Sequence, residues 1–308
     1  MADSLTDKVG IVTGAGRGIG RGIALLMAEQ GARVVVNDLG GDVDGTGASR
    51  SPADQVVAEI EANGGSAVAN HDSVASMQGG ESIVKAALDS FGKLDIVVTT
   101  AGILRDRMIF NMTEQEWDDV IAVHLKGTFA VVKYACILFR QQRSGRIITF
   151  SSESGLVGNS GQGNYAAAKS GIAGFTKVVA LDMGRYGVTA NTVAPRASTR
   201  MIATVPDTAR QMRSQRDEHT EAQPPQVTPT DPEDIAPFVC YLAGESAANV
   251  NGQTFLVYGG NITLLSQPRP VRTIFKRDRW DLDELSNLVP NQVTYGLRDP
   301  SPPQPSRQ

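Results

Sequence analysis

The sequence of 308 residues has 41% hydrophobic side chains and 32 glycines, so it can bury one large core, or two at most. Its net charge of -4 argues against a nucleic-acid-binding protein, although it leaves room for a local basic patch. The two cysteines, Cys136 and Cys240, provide neither a disulfide framework nor metal-ligand spacing, so we expect structural thiols and no metal site.

The first predicted strand leads into a glycine-rich turn and a helix. The strand is predicted at Lys8–Thr13, and the helix runs through Ala28 and is closed by Gly31. The turn contains Gly14, Gly16, Arg17, Gly18, Ile19 and Gly20. Such a turn at a helix N-terminus places backbone N–H groups where a pyrophosphate can bind, although the glycines alone are a weak signal.

A second strand and an acidic residue strengthen the prediction of a dinucleotide site. The β-branched run Arg33–Asn37 ends at Asp38, about twenty residues after the turn. A carboxylate there would bond the adenosine ribose hydroxyls and repel a 2′-phosphate, which favours NAD over NADP. Arg17 favours the opposite choice because it can pair with a phosphate. Asp38 can also be interpreted as a turn residue that opens the loop Leu39–Ser51.

Helices and strands then alternate along the chain. Helices are predicted at Ala53–Asn63, Gly80–Phe91, Glu114–Arg143 (with a kink at Gly127) and Gln162–Gly184, and strands at Ser66–Asn70, Leu94–Thr99, Arg146–Phe150, Val188–Val193 and Thr254–Tyr258. This alternation predicts an α/β fold with a doubly wound parallel sheet of the Rossmann type, in a single domain with a C-terminal extension.

Ligands of such sheets bind at the carboxyl ends of the strands, and small or polar residues stand there. Asp72 and Ser73 follow the third strand, where the adenine ring of a dinucleotide would lie. Thr100, Ala101 and Gly102 follow the fourth strand, and small residues would let the backbone lie against the cofactor. This agreement predicts a ligand site more strongly than any single motif does.

Ser152, Tyr165 and Lys169 form the candidate catalytic set. Tyr165 and Lys169 are four residues apart, so on a helix they share one face. A nearby ammonium lowers the tyrosine pKa from about 10, which suits proton exchange with an alcohol or a carbonyl. Ser152 can supply a second hydrogen bond to the same oxygen. Without the serine, such a pair is more often a packed tyrosine and a surface lysine.

These motifs together resemble the short-chain dehydrogenase/reductase family over roughly residues 5–260. The matching residues are Thr13, the glycine-rich turn Gly14–Gly20, Asp38, Ala101, Gly102, Ser152, Tyr165 and Lys169. The resemblance implies that Tyr165 is the general acid/base and that Ser152 holds the substrate oxygen. It implies that Lys169 binds the nicotinamide ribose and lowers the tyrosine pKa.

The resemblance also suggests boundaries and further contacts with the cofactor. It adds Leu39, Pro195 and Ser198 to the cofactor-binding residues, with Tyr165 and Lys169 serving that role as well. A substrate lid is expected at about residues 197–230, within a cofactor-binding domain at residues 1–260.

The sequence departs from the family pattern in three places. The usual Asn-Asn before Ala-Gly is Thr99-Thr100, for which we expect reduced rigidity rather than loss of cofactor. The helix asparagine that anchors a proton-relay water is His124, and the usual Pro-Gly after the sixth strand is Pro195-Arg196. His124 either takes over the catalytic relay or is a core histidine bonded to a backbone carbonyl.

Three segments narrow the resemblance to one branch of the family. They are Val36–Gly41, Ala101–Arg107 and Gly161–Tyr165, and with His124 they are similar to the (3R)-hydroxyacyl-CoA dehydrogenase domain of peroxisomal multifunctional enzyme type 2. The implied reaction is hydride transfer from the β-hydroxyl carbon of an acyl thioester to NAD, giving the 3-ketoacyl-CoA, with the tyrosine as general base.

An acyl-CoA carries phosphates, so this acidic protein needs a local basic cluster to hold it. The candidates are Arg105, Arg107, Arg200, Arg210 and Arg213, and a denser tail cluster of Arg269, Arg272, Lys276, Arg277 and Arg279. Solvated surface charge explains each of them equally well.

Two other functions remain open on the sequence. An alcohol or hydroxysteroid dehydrogenase with a bulky hydrophobic substrate would use the same Ser–Tyr–Lys chemistry. A non-catalytic dinucleotide-binding scaffold is the third possibility, and the intact catalytic set argues against it.

The remaining expectations concern the C-terminal region and the surroundings of the protein. We expect an extension at residues 261–308, with a short docking helix at Arg279–Leu285 and disorder in the last nine residues. The N-terminus carries no signal region, and no apolar run approaches the length of a membrane span. We therefore expect a soluble, cytoplasmic protein with no membrane partner, and the family resemblance implies a homodimer or homotetramer.

Overall fold

The structure, a computed structural model, describes residues 4–197 and 231–297. The predicted lid after Ala197 and the predicted disordered tail therefore lie outside the described residues. The strands are β1 (Val9–Thr13), β2 (Arg33–Asn37), β3 (Ser66–Asn70), β4 (Ile96–Thr99), β5 (Gly145–Phe150), β6 (Val188–Pro195), β7 (Thr254–Tyr258) and β8 (Asn261–Leu264). They form one sheet in the order β3-β2-β1-β4-β5-β6-β7-β8. All neighbours are parallel except β7 and β8, which pair antiparallel.

Helices cover both faces of this sheet. They are α1 (Gly18–Glu29), α2 (Ser51–Ala62), α3 (Met77–Phe91), α4 (Glu114–Ile121), α5 (Gly127–Gln142), α6 (Glu153–Leu156), α7 (Gly163–Gly184) and α8 (Ala236–Ala243). A further helix, α9 (Leu282–Leu288), lies in the described residues after Leu265. Buried side chains of α1, α2 and α8 form the core on one face, and those of α3, α5 and α7 form the core on the other. The predicted doubly wound α/β fold is confirmed.

The buried strands explain why continuous apolar runs marked the sheet. Every residue of β1 is buried, and successive side chains alternate between the two cores, with Ile11 in one and Val12 in the other. Burying such a side chain contributes about 1.5–3 kcal/mol relative to leaving it exposed. Burial also raises the pKa of Cys136 to about 11 and that of Cys240 to about 12.

The long helix predicted at Glu114–Arg143 is continuous but irregular. A π-helical turn at Ala122–Lys126 separates α4 from α5, where a kink at Gly127 was expected. By length and composition alone, the 29 residues Glu114–Gln142 suffice to cross a membrane, so the expectation that no apolar run approaches that length was wrong. Half-buried and buried side chains of α5, including Phe139, pack in the sheet core.

Three elements differ from the sequence prediction or were missed by it. The sheet continues past Gly260 into β8, which was not predicted, and α8 is the helix around Cys240, for which the sequence indicated a helical pattern but no bounds. The helix expected at Arg279–Leu285 begins at Leu282 because Asp281 is its N-cap, in a capping box with Glu284. Described residues after Leu265 belong to a second compact unit.

Candidate active site

Glycines of the turn after β1 stand where there is no room for a side chain. Gly14 has a positive φ of 65°, and a Cβ atom at Gly20 would lie 2.3 Å from the Gly14 carbonyl oxygen. Arg17, the N-cap residue of α1, makes no side-chain capping bond and instead donates a hydrogen bond to the Gly41 carbonyl at 3.3 Å. A tight turn with uncapped N–H groups at a helix N-terminus fits the pyrophosphate of a dinucleotide.

Asp38 lies beside this turn, at the carboxyl end of β2. Its two carboxylate oxygens accept hydrogen bonds from the N–H groups of Gly16 at 2.8 Å and Gly40 at 2.6 Å. Each oxygen has a second lone pair, so the carboxylate can also accept a ribose hydroxyl. Gly18 continues the turn with a φ of 55°, and Ile19 packs against the core.

A cavity of about 550 Å³ opens beside the end of β3, at the place expected for the adenine ring. It is lined by Leu39, Ala48, Ser49, Arg50, Ala69, Asn70, His71 and Asp72. The Asp72 carboxylate accepts hydrogen bonds from Asn70 at 2.8 Å and from Ser82 at 2.6 Å. Ser73 instead accepts a hydrogen bond from the Ala75 N–H at 3.3 Å, which closes the turn before α3.

The loop after Asp38, which we call the β2 loop (residues 39–50), reaches from the end of β2 to the end of β4. The Leu104 N–H donates to the Val43 carbonyl at 2.9 Å, and the Oδ2 atom of Asp44 lies 3.8 Å from Nη1 of Arg105. Because β1 lies between β2 and β4 in the sheet, the β2 loop crosses the end of the sheet where the glycine-rich turn emerges.

The threonines at the end of β4 connect that strand to β1. The Thr100 hydroxyl donates to the Thr13 carbonyl, and the Ala101 N–H donates to the Thr13 hydroxyl at 3.3 Å. The hydroxyl of Thr99 is buried without a hydrogen-bond partner among the described residues. Thr99-Thr100, which stands where the family usually has Asn-Asn, therefore keeps one side-chain hydrogen bond between the ends of β4 and β1, that of the Thr100 hydroxyl.

Ser152, Tyr165 and Lys169 lie at the end of β5 and at the start of α7. Ser152 is the N-cap of α6, and its hydroxyl accepts the N–H of Ser154 at 3.2 Å. The Lys169 ammonium lies 5.5 Å from the ring centroid of Tyr165. A Cβ atom at Gly155 would lie 2.6 Å from the Lys169 Cβ, so the serine-bearing helix lies directly against α7.

Lys169 is only 5% exposed, which is unusual for a lysine. Its ammonium donates a hydrogen bond to the Phe150 carbonyl at 2.7 Å. Burial lowers its pKa from 10.5 to about 7. A lysine that titrates near neutral pH can hold or release a proton beside the tyrosine.

His124 lies in the π-helical turn and packs its ring edge-to-face on Tyr165, with centroids 5.1 Å apart. Its Nε2 lies 2.8 Å from the Ile103 carbonyl oxygen and 3.0 Å from the Ile103 nitrogen. Its Nδ1 is buried and has no hydrogen-bond partner in the described parts of the chain. Burial, followed by the positive charge of Lys169, lowers its pKa to about 3, so the imidazole is neutral. A Cβ atom at Gly102 would lie 2.3 Å from the ring, which explains a glycine there.

Sequence reasoning missed Asn164, which precedes the tyrosine. This fully buried amide donates hydrogen bonds to the carbonyls of Arg105 at 3.0 Å and Glu116 at 2.8 Å. Its oxygen accepts the N–H of Tyr165 at 2.7 Å. A polar residue next to the tyrosine was the only available signal, because its partners lie 48 and 59 positions away.

The structure places the remaining predicted residues as follows. Pro195 is the last residue of β6, and Ser198, Arg200, Arg210 and Arg213 lie outside the described residues. Arg105 lies between two carboxylates, Asp44 and Asp119, and Arg107 pairs with Glu116 at 3.0 Å.

The tail cluster divides into two groups. Arg272 donates to the carbonyls of Val293 at 3.0 Å and Tyr295 at 2.6 Å, and Lys276 pairs with Glu284. The side chains of Arg269, Arg277 and Arg279 are exposed, and none of them forms a salt bridge within the described residues.

Comparisons with known proteins agree with this geometry. A family model of the short-chain dehydrogenase type, described as enoyl-(acyl carrier protein) reductase, matches residues 14–261. The crystal structure of a short-chain dehydrogenase from Mycobacterium avium is 43% identical and superposes with a TM-score of 0.78, covering 93% of this chain and 94% of that one.

Three curated relatives cover most of the chain. A short-chain type dehydrogenase/reductase of Mycobacterium tuberculosis is 46% identical, over 83% of this chain and 84% of the relative. The hydroxyacyl-CoA dehydrogenase ChsB1 of the same organism is 40% identical, over 96% of this chain and 89% of the relative. The peroxisomal multifunctional enzyme type 2 of Mus musculus is 44% identical over 88% of this chain, which matches only 34% of that longer protein.

Proposed function

Since this chain belongs to the short-chain dehydrogenase/reductase family, we propose that it oxidises the 3-hydroxyl group of a (3R)-hydroxyacyl-CoA with NAD. The observation that carries the proposal is the joint placement of Ser152, Tyr165 and Lys169 at the end of a sheet whose glycine-rich turn fits a dinucleotide. Family membership makes the chain an oxidoreductase with a nicotinamide dinucleotide cofactor. The choice of NAD, the thioester and the (3R) configuration are our proposals.

Each catalytic side chain has one role in the proposed reaction. Tyr165 takes the proton of the substrate hydroxyl, and the Ser152 hydroxyl donates a hydrogen bond to the same oxygen as it becomes a carbonyl. Lys169 holds the cofactor ribose beside the tyrosine. When bound, the nicotinamide ring supplies the acceptor for the hydride from the hydroxyl-bearing carbon, so one proton and one hydride leave the alcohol.

Asp38 supports NAD as the cofactor. Its carboxylate is fixed by two backbone N–H groups, and one of them belongs to Gly16 in the glycine-rich turn. A 2′-phosphate placed there would meet a negative charge. Arg17, which could compensate for that charge, instead contacts the carbonyl of Gly41.

The name of one relative supports an acyl-CoA substrate. ChsB1 is named as a hydroxyacyl-CoA dehydrogenase and matches nearly the whole chain. Arg105 and Arg107 face carboxylates, which weakens their candidacy for the CoA phosphates. The expected contact of the tail cluster with CoA stays a prediction: replacing Arg269, Arg277 and Arg279, whose side chains are exposed, with glutamate should raise the KM for an acyl-CoA, and an unchanged KM would eliminate that role.

An alcohol or hydroxysteroid dehydrogenase is the second candidate function. One observation favours it, namely the apolar rim formed by Ile109 and Phe110, which are 69% and 77% exposed in the 3-10 turn Ile109–Asn111, where Ile109 lies near Gly163 at the start of α7. Such a rim suits a bulky hydrophobic alcohol as well as an acyl chain.

We also propose that the protein is a homodimer or homotetramer. Four apolar side chains on α5 and α7 support this assembly because they are exposed to solvent: Phe129, Ile137, Val178 and Leu181. Replacing Leu181, which is 81% exposed, with aspartate should lower the mass measured by light scattering, whereas an unchanged mass would exclude this face.

The chemistry is tested by replacing Tyr165 with phenylalanine. We expect loss of NADH formation with retained NADH binding, because the ring still packs on His124 while the proton acceptor is gone. Tyr241→Phe removes the hydroxyl of an exposed tyrosine on α8 and is the matched control. Equal activity of the two variants would contradict the assigned role of Tyr165.

A further inference from the structure

An arginine–glutamate pair joins the two strand ends that flank the catalytic serine. Arg196 follows the last residue of β6, and Glu153 follows Ser152 as the first residue of α6. The Nε and Nη2 atoms of Arg196 donate to the two carboxylate oxygens of Glu153. This forked geometry fixes both side chains in one orientation.

The arginine is held in place from other directions as well. Its backbone N–H donates to the Val257 carbonyl at 2.9 Å, and its guanidinium carbon lies 5.0 Å from the ring centroid of Tyr258. Its side chain is 37% exposed and that of Glu153 is 29% exposed, so water screens the pair only in part. Arg196 therefore connects α6 to the ends of both β6 and β7.

Ser152 depends on the position of Glu153. As the N-cap of α6, the serine has an orientation set by the first turn of that helix, whose Ser154 N–H its hydroxyl accepts. That turn is anchored on its other side as well, because the Ser154 hydroxyl donates to the buried side chain of Gln162 at 2.8 Å. Among the described residues, Arg196 is the only one at the end of β6 that contacts the Glu153 carboxylate.

We propose that Arg196 is a positioning residue that acts through Glu153 to hold the Ser152 hydroxyl at a fixed distance from the backbone of Pro195. The proposal rests on the proposed function, in which Ser152 holds the substrate oxygen, and on the expectation that Pro195 contacts the cofactor. The pair excludes a different role for Glu153, because a carboxylate with both oxygens bound to a guanidinium is not available as a general base.

Breaking the pair should affect the hydride-transfer step rather than binding. A small displacement of a positioning group costs up to about 100-fold in rate. For Arg196→Gln and Glu153→Gln we therefore expect kcat to fall between about 10- and 100-fold, with the dissociation constant of NADH changed by less than about twofold. The deuterium isotope effect on kcat, measured with substrate labelled at the reacting carbon, should rise because hydride transfer becomes slower than product release.

Two further variants separate positioning from stability. The charge exchange Glu153→Arg with Arg196→Glu keeps an ion pair and should recover most of the lost kcat. Arg21→Gln is the matched control, because Nη2 of Arg21 on α1 donates to both carboxylate oxygens of Glu59 on α2, at 2.7 and 2.8 Å, in an ion pair of similar exposure. It should leave the isotope effect unchanged even where the melting temperature falls.

The outcomes distinguish this proposal from the substrate assignment. Unchanged kcat in both single variants would overturn the positioning role, as would a charge-exchange variant that regains its melting temperature but not its kcat. If wild-type protein oxidises a free alcohol rather than a hydroxyacyl-CoA, the substrate assignment fails, and the same variants measured with that alcohol still decide the role of Arg196.

Discussion

Replacing Lys169 with methionine should stabilise the folded protein at neutral pH while abolishing activity. Burial lowers the Lys169 pKa from 10.5 to about 7, so between these pH values the unfolded chain binds more protons than the folded chain. Raising the pH across that range therefore stabilises the wild-type fold, and the cost of the buried ammonium is largest at and below pH 7. A pKa difference of this size corresponds to about 5 kcal/mol, at about 1.4 kcal/mol per pH unit.

The substitution also has an unfavourable component. Methionine cannot donate to the Phe150 carbonyl, which Lys169 contacts at 2.7 Å, and a buried acceptor that loses its donor costs about 1–3 kcal/mol. The difference between the two effects makes the variant about 2–4 kcal/mol more stable than wild type at pH 7. Near pH 10.5 only the lost hydrogen bond remains, so the variant should be the less stable protein.

Urea unfolding followed by circular dichroism at pH 7 and pH 10 measures this reversal. Lys133→Met, on the exposed face of α5, is the control and should show the same small difference at both pH values. A Lys169→Met variant whose stability relative to wild type does not change with pH would refute the reasoning, because Lys169 would then not be a buried, desolvated lysine.

Three further changes test other parts of the site. Asp38→Ser should weaken NADH binding about 10- to 150-fold, because a hydrogen bond to a carboxylate contributes about 1.5–3 kcal/mol. The preference for NADH over NADPH, measured by cofactor fluorescence as the ratio of their dissociation constants, should become smaller, and an unchanged ratio would contradict the NAD assignment. Wild type should lose about 2 kcal/mol of its free energy of unfolding between pH 6.5 and pH 5, because the folded His124 pKa is about 3 and the unfolded imidazole becomes charged in this range. His124→Asn should lack this loss in urea unfolding, and equal losses in both proteins would argue against a buried neutral imidazole. Asp44→Asn should speed NADH dissociation about two- to fivefold in stopped-flow experiments, because it weakens the contact of the β2 loop with Arg105; Asp42→Asn on the same loop is the control, and equal rates for the two variants would exclude the loop contact.

Much of the fold was predictable from local patterns. Both faces of the sheet are covered, so its strands are continuous apolar runs, and the β7 prediction at Thr254–Tyr258 matches the structure. The candidate site followed from the same reasoning, since Thr13, Asp38 and Thr100 end neighbouring strands whose carboxyl ends meet at one edge.

The features that escaped prediction depend on distant or weak signals. A π-helical turn of five residues at Ala122–Lys126 has no hydrophobic period distinct from that of an α-helix, so the sequence pattern indicates only a kink at the glycine. β8 is an antiparallel edge strand of only four residues with mostly exposed side chains, so its alternation of polar and apolar residues is too short to identify a strand. The ion pair of Arg196 joins residues 43 positions apart, and no local pattern marks such a partner.

The same limit applies to the acyl-CoA assignment. Arg105 and Arg107 looked like phosphate-binding residues because charge runs are visible in sequence. Their carboxylate partners, Asp44, Asp119 and Glu116, became apparent only when the folded chain brought them together. Charge in a sequence therefore identifies candidate contacts but not which of them remain available to a ligand.

The central claim is tested most directly by NADH formation from purified protein with NAD and a medium-chain (3R)-hydroxyacyl-CoA. The (3S) isomer, the matching free alcohol and a steroid alcohol are measured beside it. Our account predicts turnover of the (3R) thioester, with much lower rates for the other three compounds. Turnover of a free or steroid alcohol with no gain from the CoA moiety would contradict it.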